Sequence, residues 1–335
     1  MKAVVLVGGA GTRLRPLTFG TPKPLLPIAN IPFVERQLDW LASYGVDEAV
    51  LSLGYLPGAF TEHFADERHG DMKLRFVIEH EPLGTAGGIR FASEGINERL
   101  LVCNGDVLTD LDLGAFVAFH EERGAEATIS LTQVEDPSAF GVVPTRPDGE
   151  VIAFVEKPPR DQAPSNWINA GTYVLEPAAL NRIPPRLNVS IERETFPRML
   201  EEPGRLFAMR SDCYWLDIGT PSKYFDAQID VLTGKVGLPP TPSAAETAAG
   251  VWVESGAKVD PGAILVGPAL VGTGASVAAG AKVANSVIGR GAAVGAGATV
   301  RDSVLLADTA LGAGETLQGT ALAPGDVRLD LEGTP

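Results

Sequence analysis

The feature that most constrains this chain is a six-residue period in its last quarter. Val253, Val259, Leu265, Val271, Val277 and Val283 recur every six residues. Alanine stands two positions before each from Val259 onward, at Ala257, Ala263, Ala269, Ala275 and Ala281. Glycine stands three positions after most of them, with Pro268 and Ser286 as variants. One residue is then lost, and the period resumes at Ile288, Val294, Val300 and Leu306. One inward apolar side chain per short strand, with small residues at the corners, is the pattern of a triangular parallel β-helix, in which each coil buries its core on the next. The pattern predicts about four such coils, wound left-handed, over residues 251–325.

The preceding residues read differently. Residues 4–7 are a continuous apolar run ending at Gly8, as in a strand buried on both faces. Residues 33–44 carry apolar positions at helical spacing and stop at Gly45. Further strands are expected at 49–53, 74–78 and 100–103, with a helix through Ile89 and Phe91 between the last two. Later strands are expected at 127–133, 140–143, 151–155 and 170–175. Thr220-Pro221 opens a helix to about Leu232, with threonine as cap and proline at the first helical position. Alternation of strand and helix predicts an α/β fold: a Rossmann-like mixed, mostly parallel sheet, with ligands at the carboxyl ends of its strands. The expected division is a first domain over 1–236, a Pro/Ala/Thr-rich linker over 237–250, and the β-helix.

Composition excludes several functions. With 45% hydrophobic and 21% charged residues in 335, the chain is globular rather than disordered. A net charge of −15 disfavours non-specific binding to nucleic acid or anionic membranes. Cys103 and Cys213 are the two cysteines, each in an apolar segment, so a disulfide framework is not expected. No stretch has the apolar length of a membrane span and the N-terminus lacks a signal-peptide pattern, so a cytoplasmic protein is expected.

The chemistry is carried by short segments. The string GGAGTRLRPLT at 8–18 follows the first strand, and PKP follows at 22–24. Glycines there let backbone N–H groups approach phosphate oxygens, and Arg13 and Lys23 add positive charge. The string is neither a P-loop nor a GxGxxG fingerprint, because Leu14 holds the last glycine position. Further on come EPLGTAG at 81–87, NGDV at 104–107, FGVV at 140–143, EKP at 156–158, NAGTY at 169–173 and WLDIG at 215–219. Taken alone, Asp106 could simply cap a turn, Asp217 could belong to a structural salt bridge, and Glu156-Lys157 would be ordinary solvated surface.

Together these strings resemble the sugar-1-phosphate nucleotidyltransferases, which join a nucleoside triphosphate to a sugar phosphate and release pyrophosphate. The resemblance covers nearly the whole chain, β-helix included. It implies that Leu6, Gly8, Gly9, Gly11, Thr12, Arg13, Lys23, Glu81, Gly84, Thr85 and Asp106 bind the nucleotide. It implies that Gly141, Glu156, Lys157, Asn169 and Gly171 hold the sugar phosphate. Asp106 and Asp217 would hold Mg²⁺, a hard cation that takes one or two carboxylates plus phosphates and water. Arg13, Lys23, Asp106, Lys157 and Asp217 would form the catalytic set. Phe140 stands where relatives often carry tyrosine, so no hydroxyl is available there.

The LGTAG string is similar to the guanylyl members, whereas thymidylyl members tend to show Leu-Gly-Leu-Ala. That implies GTP and mannose-1-phosphate as substrates. The alternatives are glucose-1-phosphate with dTTP or UTP, and a non-catalytic subunit that binds a nucleotide sugar. Retention of all five catalytic-type residues argues against the latter. His63, His69, His80 and His120 all precede the repeat, which argues against histidine-based acyl transfer on the β-helix. A homo-oligomer is expected, because an end coil exposes backbone edges that need covering.

Overall fold

The computed structural model describes residues 1–202, 204–238 and 240–332. By internal contacts the chain divides into two compact units, each assembled from two stretches. The first is Met1–Gly9 with Gln37–Trp215, and the second is Ala10–Arg36 with Leu216–Pro335.

The first unit is built on a mixed sheet whose centre is parallel. Strand β1 (Lys2–Leu6) carries Ala3, Val4 and Val5 fully buried, as a two-sided environment demands. Helix α1 (Phe33–Ser43) precedes β2 (Glu48–Leu53) and β3 (Met72–Ile78). Helix α2 (Gly84–Ala92) precedes β4 (Leu100–Asn104). β1 lies between β2 and β4, parallel to both, and β3 lies parallel beyond β2. Helix α3 (Leu113–Arg123), which the sequence reading did not identify, has Asp112 as N-cap, accepting from the Ala115 N–H at 3.0 Å, and a left-handed Gly124 at its end.

Strand β5 (Ala127–Gln133) agrees with expectation. β6 (Trp167–Leu175) is longer than expected and runs antiparallel to both β4 and β5, and β7 (Leu206–Arg210) extends the sheet parallel to β5. The expected strands 140–143 and 151–155 shrink to Gly141–Val142 and Val155–Glu156, which pair with each other. Ala86, Ile89, Ala92, Ile129, Tyr173, Ile191 and Phe196 belong to the core packed on this sheet.

The second unit holds helix α4 (Pro221–Leu232), capped as expected by Thr220, whose hydroxyl accepts from the Lys223 N–H. Part of the expected linker is structured: Ala244–Ala248 is a strand antiparallel to Val251–Glu254, because its backbone groups close the first edge of the β-helix. The coils then stack in parallel, with Val259 beside Val277, Val277 beside Val294 and Val294 beside Leu311.

The first of those steps spans eighteen residues and the later ones seventeen, so the lost residue recurs in every later coil. This corrects one inward position. Leu305, not Leu306, pairs with Ile288 and joins the apolar stack of Val271, Ile288 and Leu322. The shortened corner is closed by hydroxyls. Ser286 Oγ donates to the Ala284 carbonyl at 2.7 Å and accepts from the Ser303 N–H at 3.2 Å. Ser303 Oγ repeats this with Arg301 and Thr320. Antiparallel strands Thr320–Ala323 and Val327–Asp330 finish the far end. No helix among the described residues is long and apolar enough to cross a membrane.

Candidate active site

In the first unit, β1 delivers the chain to Gly8 and Gly9. Gly8 lies against Gly54: a Cβ on Gly54 would come within 2.8 Å of the Gly8 carbonyl, so two backbones touch where side chains would part them. Beside them opens a cleft of about 510 Å³ lined by Leu6, Gly8, Gly9, Gly54, Tyr55, Glu79, His80, Pro82, Gly84 and Thr85. Of the residues expected to bind nucleotide, Leu6, Gly8, Gly9, Gly84 and Thr85 therefore meet here. Glu81 is exposed and does not line the cleft.

Glu79, just past the end of β3, lines the cleft instead. Its Oε1 accepts from Ser52 Oγ at 2.7 Å and its Oε2 from the Leu83 N–H at 3.2 Å, which fixes the carboxylate. Sequence motifs pass over it because it lies before the LGTAG string. Its position at the carboxyl end of a parallel strand is the signal that could have found it.

Gly84 takes a left-handed φ of 69°, and a Cβ there would meet the Val189 carbonyl at 2.6 Å. Thr85 Oγ1 donates to Glu192 Oε2 at 2.7 Å and accepts from the Ile191 N–H at 2.8 Å. Both partners sit on a π-helical turn, Ile191–Thr195, a local widening often found at functional sites.

Asp106 is half-buried in the turn after β4. The turn is tied by the Gly105 N–H to the Leu6 carbonyl at 2.9 Å. The buried amide of Gln37 brackets it, donating to the Asn104 and Val107 carbonyls at 2.9 and 3.0 Å.

The sugar-phosphate candidates also assemble within this unit. Gly141 pairs with Glu156, and Val142 pairs with Ile168, next to Asn169. A Cβ on Gly141 would strike the Phe154 ring at 2.6 Å and approach Glu156 Oε2 at 3.1 Å. Lys157 Nζ and Arg193 Nη2 stand 3.8 and 3.9 Å from Glu156 Oε1. The pairing of β6 with β5 shifts register between Asn169 and Tyr173, and Gly171, at φ 76°, sits in that irregularity. Asn169 is locked by donating to Tyr173 Oη at 2.8 Å and accepting from the Gly171 N–H at 3.0 Å. Burial pushes the Tyr173 phenol well above its usual range, with the Glu192 carboxylate adding to the effect, so it stays protonated. Phe140 packs edge-on against Trp215, whose indole N–H donates to the Ala170 carbonyl at 2.9 Å.

The second unit holds the remaining candidates: Gly11, Thr12, Arg13, Lys23 and Asp217. Gly11, at φ 56°, starts a short turn over Thr12–Leu14, and a Cβ on it would lie 2.9 Å from Cβ of Lys23. Thr18 Oγ1 donates to the Gly11 carbonyl at 2.9 Å. Lys23 is buried at 8% exposure, so its stem is held rather than free to sample solvent. A Cβ on Gly219 would meet Arg13 Nη2 at 2.6 Å and Asp217 Oδ2 at 3.1 Å, so the guanidinium and the carboxylate flank this glycine. Oδ1 of Asp217 is buried.

No group of three or more His, Cys, Asp or Glu side chains able to hold a metal occurs among the described residues. Magnesium does not need one. Asp106, at a strand end of the first unit, and Asp217, in the second unit with a buried oxygen, are each a hard oxygen donor of the kind a cation takes when phosphate oxygens and water complete its shell.

A glycine turn and a cleft at the carboxyl ends of parallel strands, in the same unit as the Gly141, Glu156 and Asn169 cluster, are the arrangement of a ligand-binding α/β domain. Residues 2–234 match the family described as "Nucleotidyl transferase", and the chain belongs to that family. It is 40% identical over 288 residues to the mannose-1-phosphate guanylyltransferase of Mycobacterium tuberculosis, covering 85% of this chain and 79% of that protein. It is 42% identical over 230 residues to the mannose-1-phosphate guanyltransferase of Schizosaccharomyces pombe, covering 67% of this chain and 62% of that one. Among solved structures, HddC from Yersinia pseudotuberculosis complexed with GMP-PN is similar at 30% identity and a TM-score of 0.57, covering 68% of this chain and 97% of that chain.

Proposed function

We propose that this protein transfers a guanylyl group from GTP to mannose-1-phosphate, giving GDP-mannose and pyrophosphate. The observation that carries the reading is the cleft beside Gly8 and Gly9 with the fixed Glu79 carboxylate in its wall. Guanine presents N1–H and N2–H₂ donors, and Glu79 offers acceptor oxygens to meet them. Thymine and uracil have a single donor on that edge, N3–H, flanked by two carbonyl oxygens, so they cannot meet both carboxylate oxygens as guanine does. The relatives named mannose-1-phosphate guanylyltransferase support the same substrates.

In the reaction a non-bridging oxygen of the sugar phosphate attacks the α-phosphorus in line with the bond to the β-phosphate. That bond breaks and pyrophosphate leaves with the electron pair. The nucleophile is already an anion, so no general base or covalent enzyme intermediate is required. The chain's task is to position two anions and offset their repulsion. Glu156 and Asn169 accept and donate hydrogen bonds to the sugar hydroxyls. Lys157 neutralises the sugar phosphate, and Arg13 and Lys23 neutralise the triphosphate. Gly8, Gly9, Gly11 and Thr12 offer backbone N–H groups to its oxygens. Asp106 and Asp217 would hold Mg²⁺, which would supply further charge neutralisation on the phosphates.

The test is pyrophosphate release with Mg²⁺, crossing GTP, dTTP, UTP and ATP against mannose-1-phosphate and glucose-1-phosphate. Turnover confined to GTP with mannose-1-phosphate is expected. Turnover with a different pair would discard the reading of the base cleft, and inertness of a folded chain toward every pair would discard the enzyme assignment. Asp106→Ala and Lys23→Ala are expected to fold and to lose about 10²–10³ in kcat, as removal of one charge-stabilising group typically does.

A further inference from the structure

Residues 27–32 form a tight hairpin in the second unit, with Pro27–Ile28 antiparallel to Ile31–Pro32. Ala29 and Asn30 turn it at φ 45° and 63°, the left-handed pair of a two-residue hairpin. Asparagine tolerates that region and alanine does so poorly, so the tip needs outside support. The Ala29 N–H donates to Gln228 Oε1 at 2.6 Å. Gln228 Nε2 and Tyr224 Oη donate to the Pro27 carbonyl at 2.9 and 3.0 Å. The Arg36 guanidinium donates to the carbonyls of Ile28 and Ala29 at 2.9 and 3.3 Å.

Asn30 reaches further, into the β-helix. Its Nδ2 donates to the Ile288 carbonyl at 3.3 Å and to Glu254 Oε1 at 3.4 Å. Glu254 is 1% exposed, and its Oε2 accepts from the Thr273 N–H and hydroxyl at 2.9 and 2.8 Å. The coil yields space for the amide: a Cβ on Gly272 would lie 2.6 Å from Asn30 Nδ2. At its other end the hairpin is continuous with the phosphate-binding segment. The Leu26 N–H donates to the Lys23 carbonyl, the Phe33 N–H donates to the Leu26 carbonyl, and Gly11 packs on the Lys23 stem.

We infer that Asn30 is a positioning residue, through which Glu254 and Ile288 of the β-helix hold the segment bearing Arg13 and Lys23 in its phosphate-binding geometry. The inference rests on the nucleotidyltransferase role of those two cations. The amide NH₂ carries two N–H bonds and no charge, so it donates to both acceptors at once from the short side chain that the hairpin turn accepts. The β-helix is then part of the active-site scaffold and not an appendage.

Asn30→Asp turns the donor into an acceptor facing a buried carboxylate, and N30D/E254Q restores a donor from the other side. On the full-length chain, hydrogen exchange of residues 10–26 followed by mass spectrometry requires no turnover. Exchange is expected to be about tenfold faster in N30D and to return toward wild type in N30D/E254Q. In pyrophosphate release, kcat is expected to fall about tenfold in N30D with KM for mannose-1-phosphate changed less than about twofold, and to recover in the double variant.

Unchanged exchange in a folded N30D overturns the tether. Faster exchange with unchanged kcat overturns the positioning role, as does a lowered melting temperature with neither the kcat–KM split nor rescue. If N30D does not fold, Asn30→Ala removes the donor without adding charge and is read by the same exchange and kinetic criteria. A wild-type chain inert toward every substrate pair would overturn the proposed function alone, with the exchange result still deciding the tether.

Discussion

The proposed base preference turns on one side chain, Glu79, and part of the pH response of stability turns on another, His120. Glu79 is held by Ser52 and the Leu83 N–H, so its carboxylate is preorganised before any ligand arrives. Glu79→Gln replaces one acceptor oxygen with a donor. A hydrogen bond to a charged group is worth about 1.5–3 kcal/mol, so kcat/KM with GTP is expected to fall about ten- to a hundredfold. Kinetics with GTP and UTP in parallel would check this, and an unchanged preference would remove Glu79 from base reading. His120 is buried, with Nδ1 2.7 Å from Thr128 Oγ1 and Nε2 3.2 Å from Glu176 Oε1. Burial holds its pKa below the ordinary 6.5, so the neutral ring accepts from Thr128 and donates to Glu176. The unfolded chain binds this proton at a higher pH than the folded chain does. Its contribution to stability is therefore complete above about pH 6.5 and is lost as pH falls through the folded value. Denaturant midpoints measured down from pH 7.5 should fall in that window, and the fall should shrink in His120→Gln.

At the scale of elements, the irregularity in β6 and the shortened β-helix corner each turn a local rule to structural use. Gly171 sits where β6 shifts register, at φ 76°, and a Cβ there would come within 2.6 Å of Asn104 Nδ2. Gly171→Ala therefore meets both a strained φ and a neighbouring amide, at a cost of about 1–3 kcal/mol for the backbone alone. It should also displace Asn169, raising KM for mannose-1-phosphate more than KM for GTP, which steady-state kinetics with each substrate varied would show. In the β-helix, Leu305 belongs to a column whose members contact the coil above and below. Leu305→Ala should cost about 2–5 kcal/mol, the usual range for a large buried aliphatic side chain, read from denaturant unfolding. A six-residue count along the sequence selects Leu306 instead. It cannot register that Ser286 and Ser303 shorten the corner by bonding to the backbone of their own strand and accepting from the next coil.

For the whole molecule, the discontinuous division has a mechanical consequence. The stretch with Arg13 and Lys23 belongs to the same compact unit as the β-helix, although more than half of the chain separates them in sequence. Heating Leu305→Ala should therefore end turnover at the temperature where the β-helix melts, even though that residue belongs to the β-helix core and to none of the proposed ligand sets. Circular dichroism and activity measured on the same ramp would show the two transitions coincide, and activity persisting beyond the melt would break the link. Much of this protein was determined by sequence alone. The six-residue period specifies a β-helix because each coil can bury only one apolar side chain per short strand. The apolar run before Gly8 and the alternation of strands with helices specify an α/β fold, because those are local requirements of burial and backbone hydrogen bonding, while nucleotide binding was legible through the resemblance of the glycine-containing strings to a known family. What only the tertiary structure decided is which distant groups meet: Glu79 instead of Glu81 in the wall of the cleft beside Gly8 and Gly9, Gln37 across the Asp106 turn, and Asn30 against Glu254 and Ile288. Such meetings depend on long-range packing and on buried hydrogen bonds that must be satisfied, and neither leaves a period or a spacing in the chain.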